Sequence, residues 1–133
     1  MHLFLTGATG SVGLEVLRAL RDDARFERVS CLLRGSARES AAQRWQSMLV
    51  AHDLLKPAGA PGPVMEFVDG ELTAADFALS PETLGALASS VTHILHSAAH
   101  IRFDAQYDEA HAINVGGTQR VIEFASRCLR LLR

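Results

Sequence analysis

The sequence predicts an α/β fold, a doubly wound parallel sheet of about four strands, on the strength of three observations. Short apolar runs alternate along the chain with segments whose apolar residues recur at helical spacings of three and four. The runs are nearly continuous in apolar character, which is typical of parallel strands covered on both faces. The first run also leads through a glycine-rich turn into a helical pattern, so the chain opens with a strand–turn–helix unit.

The limits of the predicted elements follow from residues that end strands and helices. We predict strands over 2–5, 28–33, 64–68 and 91–96. We predict helices over 11–22 and 37–55, a short helix that begins at Pro81, and a last helix from Tyr107 to the chain end. Prolines and glycines between positions 57 and 63 end the second helix, and Ser80 is a suitable N-cap before Pro81. The predicted inward face of the first helix carries Val12, Val16 and Leu20, with Leu17 beside them.

The turn between the first strand and the first helix carries three glycines at equal spacing. Gly7 allows a tight turn, Gly10 lets the backbone approach a pyrophosphate, and Gly13 lets the helix pack close to the strand. The pyrophosphate would lie at the helix N-terminus, where unpaired N–H groups and the helix dipole favour negative charge. No Gly-Lys-Ser/Thr follows, which excludes a Walker A loop. We therefore predict a dinucleotide site, the alternative being an ordinary glycine-rich turn.

An arginine at the end of the second predicted strand indicates which dinucleotide binds. In such sheets an acidic residue about 20 positions after the glycines binds the ribose 2′-hydroxyl of NAD, whereas arginine suits the 2′-phosphate of NADP. Arg34 stands at this position, and no Asp or Glu occupies that strand end. Because a planar guanidinium matches phosphate, we predict that the chain binds NADP(H) in preference to NAD(H). The alternative is that Arg34 is a solvated surface residue.

Length and composition limit the functional class. With 133 residues, 48% of them hydrophobic, and a formal net charge of −2, the chain is predicted to be one domain, residues 1–133. The arginines are scattered and aromatic residues are few, which argues against nucleic-acid binding. No apolar run approaches the roughly 18 residues of a membrane span, and the chain opens directly on a strand. We therefore expect no signal peptide and a cytoplasmic location, with Cys31 and Cys128 as thiols rather than a disulfide.

Two further constellations fit the predicted fold poorly. His93, His96 and His100 suggest a metal cluster, but strand periodicity places His93 and His96 on opposite faces, so we predict no metal site. Ser97 with His96 and Asp104 is similar to a hydrolase triad. No strand–turn–helix elbow surrounds Ser97, and we therefore expect no hydrolase chemistry.

Five stretches of the chain together resemble a known family. Residues 5–13 resemble the opening of the extended short-chain dehydrogenase/reductases, which implies a Rossmann fold that binds NAD(P). With this opening, four further stretches are similar in order and spacing to thioester reductase domains and fatty acyl-CoA reductases. These stretches are Cys-Leu-Leu-Arg at 31–34, Gly-Glu-Leu-Thr at 70–73, the strand and small residues at 91–99, and Asn-Val-Gly-Gly-Thr at 114–118. The resemblance covers nearly the whole chain.

The resemblance implies roles for individual residues. Those expected to hold the pyrophosphate are Thr9, Gly10, Ser11 and Val12, beside Gly7 and Gly13. Arg34 and Arg44 would meet the adenosine 2′-phosphate. Glu71 and Leu72 would flank the adenine, although the family usually has Asp at the position of Glu71. Asn114 would help to hold a catalytic lysine and a water, the alternative being a polar residue on a solvated helix face. Those expected beneath the cofactor riboses are Ser97, Ala98 and Ala99.

Reductases of this kind transfer hydride with a Ser or Thr and a Tyr-x-x-x-Lys pair, and this pair is missing here. Tyr107 is the single tyrosine, and Lys56, the single lysine, precedes it. We therefore expect the N-terminal, cofactor-binding portion of a reductase, without activity of its own. The full enzyme would reduce an acyl thioester, carried by CoA or a carrier protein, to an aldehyde or alcohol. A nucleotide-sugar epimerase or dehydratase of the same superfamily and a non-catalytic nucleotide-binding module are the alternatives.

The last predicted helix is apolar on more than one side. A helix of this kind requires a partner on each apolar side. We therefore expect an exposed apolar patch, self-association of the chain and a possible homodimer through this helix. The residues that form the two sides are Val121, Ile122, Phe124, Leu129, Leu131 and Leu132.

Overall fold

A parallel sheet of four strands in the order β3-β2-β1-β4 lies at the centre of the molecule. The computed structural model describes residues 1–102, 104 and 106–132. The strands are β1 His2–Thr6, β2 Arg28–Leu33, β3 Val64–Asp69 and β4 His93–His96. The two inner strands, β1 and β2, are buried along almost their whole length, which explains why both read as continuous apolar runs. The predicted parallel sheet is confirmed.

Helices connect and flank these strands. The described residues form five α-helices: α1 Ser11–Leu20, α2 Ala41–Ala51, α3 Pro81–Ser90, α4 Tyr107–His111 and α5 Gly117–Arg127. A π-helical turn, Ala112–Gly116, joins α4 to α5. Side chains determine where two helices begin, because Ser40 accepts a hydrogen bond from the N–H of Gln43 and Ser80 accepts one from the N–H of Thr83. The predicted start of α3 at Pro81, after the Ser80 cap, is confirmed.

Each face of the sheet carries its own apolar core. Successive residues of β1 alternate between them, with Leu3 and Leu5 in the core beneath α1 and α2 and Phe4 in the core beneath α3 and α5. On the second face the rings of Phe77 and Phe124 lie 5.7 and 5.0 Å from the Phe4 ring. The two cores cover the two faces of the sheet. Because the four strands are parallel, their carboxyl ends form one continuous edge.

Helix α1 buries the predicted apolar residues except the first of them, Val12. Gly13 and Leu17 are its buried residues, Val16 and Leu20 are half-buried, and Val12 is 62% exposed. The close approach of the glycine turn to β1 directs Gly13 and Leu17, one turn apart, toward the sheet. Val12, one position before Gly13, therefore points away from it.

Helix α2 is shorter than the predicted helix over 37–55. Before it, a turn is closed by the N–H of Ser36, which donates to the carbonyl of Glu39 at 2.7 Å. After it, Asp53 adopts a φ of 53°, in the left-handed region that a right-handed helix cannot contain. The buried residues of α2 recur at helical spacings of three and four, and they are Ala41, Trp45, Met48 and Leu49.

The last helix ends at Arg127, six residues before the end of the chain. The chain then turns back along the sheet, where the N–H of Leu129 donates to Ala88 at 2.9 Å and that of Leu132 donates to Thr92 at 3.0 Å. Leu129 and Leu132 are exposed, but they do not belong to the helix. The expectation that the helix continues to the chain end is therefore wrong.

The outer side of α5 is also less apolar than predicted. Val121 and Phe124 are buried in the core, and Leu131 packs against it. Ile122 is 63% exposed and is the exposed large apolar residue of α5. Of the six apolar residues that the pattern assigned to two sides of the helix, two lie on its buried face, one is exposed on the helix, and three lie beyond the helix end.

A tight turn over Ala75–Ala78 connects β3 to α3. Asp76, Phe77 and Ala78 have φ values of 50°, 57° and 56°, in the left-handed region, which costs a residue with a side chain about 1–3 kcal/mol. Burial of the Phe77 ring beside Phe4 and Phe124 offsets this cost. The carbonyl of Phe77 accepts a hydrogen bond from the N–H of Glu71 at 2.8 Å, so the turn supports the loop that follows β3.

Two further sequence expectations concern the membrane and the thiols. Across the described ranges, the helices are too short or too polar to cross a bilayer. Cys31 and Cys128 are both free thiols.

Candidate functional site

A cleft of about 390 Å³ opens at the carboxyl edge of the sheet. It is formed by the segments that follow all four strands, which the parallel arrangement brings to one edge. The glycine turn after β1 lies at its middle, the segments after β2 and β3 at one end, and the segment after β4 at the other. Of the predicted site residues, those that line it are Gly7, Thr9, Gly10, Arg34, Arg44, Glu71, Leu72, Ser97, Ala98 and Ala99.

The glycine turn brings backbone segments into close contact. Gly7 has a φ of 79°, and a Cβ there would lie 2.5 Å from the N of Ala98. A Cβ at Gly13 would collide with the carbonyl oxygen of Gly7 and lie 2.7 Å from the Cα of Ala8. A Cβ at Gly10 would meet only the Gly7 oxygen, at 3.4 Å, so the backbone at Gly10 faces open space. Gly7 and Gly13 are thus required by packing, whereas Gly10 leaves room in the cleft.

The N-terminus of α1 differs from those of α2 and α3. Gly10 is its N-cap and provides no side-chain hydrogen bond, whereas Ser40 and Ser80 cap the other two helices. The first-turn N–H groups of a helix have no partner within the helix, and together with the helix dipole they favour an anion. The predicted residues Ser11 and Val12 lie in this turn but do not line the cleft, and Gly13 is buried behind it.

Charged side chains lie at the end of the cleft formed by β2 and β3. Arg34 Nη1 donates to Glu71 Oε2 at 2.7 Å, and Arg44 Nη1 donates to the carbonyl of Arg34 at 2.5 Å. Burial raises the pKa of Glu71, but the hydrogen bonds from Arg34 and Thr73 outweigh this effect and hold that pKa below its usual range. This end of the cleft therefore contains two guanidinium groups and one carboxylate.

The other end of the cleft is formed by small residues, and a half-buried histidine lies beneath them. Ser97 Oγ donates to the carbonyl of Thr6 at 2.9 Å, which holds the segment after β4 against β1. His96 Nδ1 lies 2.5 Å from Thr6 Oγ1, and its Nε2 lies 3.2 Å from Thr118 Oγ1. Burial lowers the pKa of His96, whose imidazole links β1, β4 and α5 beneath the cleft.

Asn114 does not line the cleft. Its Oδ1 accepts from the N–H of His100 at 2.7 Å, and its Nδ2 donates to the carbonyl of His100 at 3.0 Å. The carbonyl of Asn114 accepts from Thr118 Oγ1 at 2.6 Å. The side chain therefore fixes the segment after β4, while the residue itself is exposed on the helix.

Several cleft residues were not singled out as site residues from the sequence. They are Thr6, Ala8, Leu32, Leu33, Gly70, Thr73, His100 and Ile113. Most of these residues end a strand or directly follow one. Their position at the carboxyl end of a parallel strand is the signal that could have identified them. His100 is the most chemically distinctive, because its Nε2 lies 3.5 Å from Glu109 Oε1 while its buried Nδ1 has no partner among the described residues.

The fold separates the residues of the histidine cluster and of the triad-like group that the sequence analysis considered. His93 stacks edge-on against Phe26 at 5.6 Å on one face of the sheet, whereas His96 contacts α5 on the other. Within the part of the chain that the structure describes, no three His, Cys, Asp or Glu side chains are grouped to hold a metal ion. Ser97 Oγ donates to a backbone carbonyl, and Asp104 is paired with Arg102 at 2.8 Å.

Solved structures and curated sequences resemble this chain closely enough to compare. The terminal R domain of the myxalamid PKS-NRPS biosynthetic pathway matches with a TM-score of 0.76 and 29% identity, over 98% of this chain and 32% of that one. The reductase (R) domain of a nonribosomal peptide synthetase from Mycobacterium tuberculosis matches with a TM-score of 0.68 and 31% identity, over 98% and 31%. Glycine betaine reductase of Emericella nidulans is 31% identical over 128 residues, 94% of this chain and 10% of that protein.

The chain is short beside these relatives. It spans about a third of the matched reductase domains and between 3% and 24% of the curated proteins it resembles. The expected resemblance to thioester reductase domains is confirmed by these matches. Residues 5–132, which include the glycine turn and all the later strand ends, match an NAD-binding family described as Male sterility protein. The chain therefore belongs to this NAD-binding family.

Proposed function

We propose that the chain is the NADP(H)-binding portion of a reductase that acts on thioester-bound acyl groups. The observation that carries the proposal is that a glycine turn and two arginines line the same cleft. Membership of an NAD-binding family supports the cofactor class. The likeness to reductase domains of peptide and polyketide synthetases, at 29% and 31% identity, supports the reaction class.

Three features of the cleft support the binding of a dinucleotide. The open backbone at Gly10 and the uncapped first turn of α1 suit a pyrophosphate. Arg34 and Arg44 provide positive charge for a phosphate at one end, and the small residues Ser97–Ala99 provide a flat surface for a ribose at the other. When bound, the cofactor would supply the hydride, and the residues of this chain would bind and orient it.

We propose that the acid–base groups of the reaction lie outside this sequence. Tyr107 is 77% exposed and does not line the cleft. Lys56 Nζ donates to the carbonyls of Arg21, at 2.7 Å, and Pro61, where it stabilises the loop before β3. Neither side chain is available to a ligand in the cleft. The chain alone is therefore expected to bind cofactor without turning over substrate.

Titration of the 133-residue chain with NADPH tests the site. Gly10→Val places a branched side chain in the open space of the turn, and valine accepts the backbone conformation of Gly10, φ −83° and ψ 166°. We expect calorimetry to show loss of NADPH binding while circular dichroism remains as in the wild type. Gly85→Val is the control, because a Cβ at Gly85 has no neighbour within 4 Å and lies in α3. Wild-type affinity in Gly10→Val would refute the site.

The preference for NADP(H) is tested at Arg34. Arg34→Ala is expected to weaken NADPH binding by about 1.5–3 kcal/mol, the range for hydrogen bonds to charged groups, and to leave NADH binding almost unchanged. Arg38→Ala is the matched control, since Arg38 is exposed nearby but does not line the cleft. Equal losses for the two dinucleotides would exclude a 2′-phosphate contact at Arg34.

A chimera tests the reaction class. Residues 5–132 would replace the matched segment of the myxalamid terminal R domain, which keeps the rest of that domain intact. We expect the chimera to oxidise NADPH when it is given an acyl thioester of CoA or of a carrier protein. A folded chimera that binds NADPH but does not oxidise it with either thioester would argue that this chain is a binding module only.

We also propose a homodimer through α5 and a cytoplasmic location. Ile122 on α5 and Leu129 just after it are 63% and 83% exposed, which supports an apolar contact between copies. Light scattering is expected to give a dimer for the wild type and a monomer for Ile122→Glu. A monomeric wild type at high concentration would refute the dimer.

The two free thiols support the proposed cytoplasmic location, because thiols stay reduced in a reducing compartment.

A further inference from the structure

Two strand ends present opposite charges to the same end of the cleft. Arg34 follows β2 and Glu71 follows β3, and their side chains meet at 2.7 Å, 37 residues apart in sequence. In dinucleotide-binding sheets the residue that ends the second strand meets the adenosine ribose, where an acidic residue accepts the 2′-hydroxyl and an arginine suits the 2′-phosphate. Arg34 has that position here, and Glu71 reaches it from the end of the neighbouring strand. This cleft contains one residue of each kind, joined in an ion pair.

The Glu71 carboxylate is held in place by more than the arginine. Its Oε1 accepts from the N–H of Thr73 at 3.3 Å and from Thr73 Oγ1 at 3.2 Å. Its backbone N–H donates to the carbonyl of Phe77, whose ring is 1% exposed in the core. The side chain of Glu71 is 31% exposed, half the value of Arg34 at 63%. The carboxylate is therefore held by several hydrogen bonds within the cleft, and Arg34 is the more exposed member of the pair.

We infer that Glu71 is a specificity-determining residue, whose carboxylate opposes the binding of a 2′-phosphate at Arg34. This inference rests on the proposed NADP(H) site. The carboxylate occupies one guanidinium donor and places a negative charge beside the group that would meet the phosphate. NADH carries only a hydroxyl there and meets no such repulsion. The chain therefore discriminates between NADPH and NADH less strongly than Arg34 and Arg44 would without Glu71.

The effect is modest in size because both side chains are partly exposed. Solvent and salt screen charges at such positions, and exposed ion pairs contribute little free energy. We therefore expect removal of the Glu71 charge to increase NADPH affinity by about two- to fivefold. Arg44 donates to the backbone of Arg34 and not to Glu71, so its charge contributes equally before and after the change.

The test measures both dinucleotides on the same variants. Glu71→Gln removes the charge, retains the side-chain length and keeps an oxygen that can accept from Thr73. Dissociation constants for NADPH and NADH are measured by calorimetry at low and high salt. We expect tighter NADPH binding, unchanged NADH binding and a gain that shrinks at high salt. Glu123→Gln is the control, because Glu123 forms a similar exposed pair with Arg120 on α5, at 3.0 Å and outside the cleft.

Each other outcome would overturn the inference. Weaker binding of both dinucleotides would assign Glu71 to the adenosine, and unchanged NADPH affinity would show that its charge does not act on the phosphate. Glu71→Ala, which removes the same charge by truncation, provides a second variant if Glu71→Gln folds poorly. A wild type that binds neither dinucleotide refutes the proposed function and this inference with it, whereas an equal NADPH preference in wild type and Glu71→Gln refutes this inference alone.

Discussion

The two ends of the sheet are joined by different kinds of contact. At the carboxyl edge, backbone packs directly on backbone, as at Gly7 against Ala98 and Gly13 against Gly7, and a cleft of about 390 Å³ remains open. At the amino edge, hydrogen-bonded side chains fill the space. His2 Nε2 lies 2.8 Å from Ser30 Oγ, which donates to the carboxylate of Glu66. The backbone contacts at the carboxyl edge leave a cleft in which a ligand can bind. At the amino edge the hydrogen-bonded side chains fill the corresponding space.

The amino-edge network is continuous and buried at its centre. Ser30 is fully buried and donates to Glu66 Oε1 at 2.7 Å, and His2 Nδ1 lies 3.1 Å from Ser90 Oγ. Arg28 Nη1 lies 3.2 Å from the same Glu66 oxygen. A buried polar group is costly to leave without a partner, so each member stabilises the fold only while the others are present. The two ends should therefore respond differently to substitution.

The largest effect is expected at the carboxyl edge. Gly13→Ala should destabilise the fold by about 3 kcal/mol, the upper part of the range for overpacking, because the obstructing atoms belong to the backbone of Gly7 and Ala8 and cannot rotate away. Gly85→Ala in α3 has open space around its Cβ and should stabilise by up to about 1 kcal/mol. Urea unfolding measures both. Similar stability in the two variants would contradict the close packing of the turn.

A smaller effect is expected at the amino edge. Ser30→Ala removes the hydroxyl between His2 and Glu66 and should cost about 1–2 kcal/mol, because a buried nitrogen loses its partner. Dinucleotide binding should be unaffected, since the change lies at the opposite edge from the cleft. Ser126→Ala, at an exposed serine of α5, is the control and should be near neutral. A neutral Ser30→Ala would mean that the network contributes no stability.

Histidines at both ends should make stability dependent on pH. Burial lowers the pKa of His96, and burial together with Arg28 lowers that of His2 against the opposing charge of Glu66, each from an ordinary value of 6.5. The unfolded chain therefore binds these protons more readily than the folded chain. Stability should be complete above about pH 6.5 and fall as the pH drops from there toward the folded pKa values.

Unfolding by urea at a series of pH values checks this expectation. His2→Asn and His96→Asn should each flatten the acid side of the curve by removing one of the two groups. A decline that is equally steep in both variants and in the wild type would assign the acid sensitivity to other residues.

The smallest effect concerns reactivity rather than stability. Burial raises the pKa of both thiols, that of Cys31 to about 12, and Cys31 is fully buried in β2 while Cys128 is half-buried. A thiol reagent should modify Cys128 first and Cys31 only when the sheet opens. In Cys128→Ser only the slow modification of Cys31 remains. The rate of this modification should increase when Gly13→Ala or Ser30→Ala destabilises the sheet. Modification of Cys31 at the rate of Cys128 would contradict its burial.

Much of the fold could be predicted because its signals are local. The second strand has the predicted bounds, Arg28–Leu33, since its apolar run is short and bounded by polar residues. The start of α3 follows from Ser80 and Pro81, and the glycine turn lies where its spacing indicates. Ten of the predicted site residues line one cleft, because parallel strands necessarily bring their carboxyl ends together.

The sequence by itself thus determined the order of the elements and the edge of the sheet at which the cleft lies. Only the tertiary structure decided which side chains meet there, as with Glu71 and Arg34, and that Asn114 holds the backbone of His100. The same holds for the left-handed turn at Phe77, since only packing in the core offsets its local cost. These features depend on contacts between residues distant in sequence, which local spacing and periodicity do not encode.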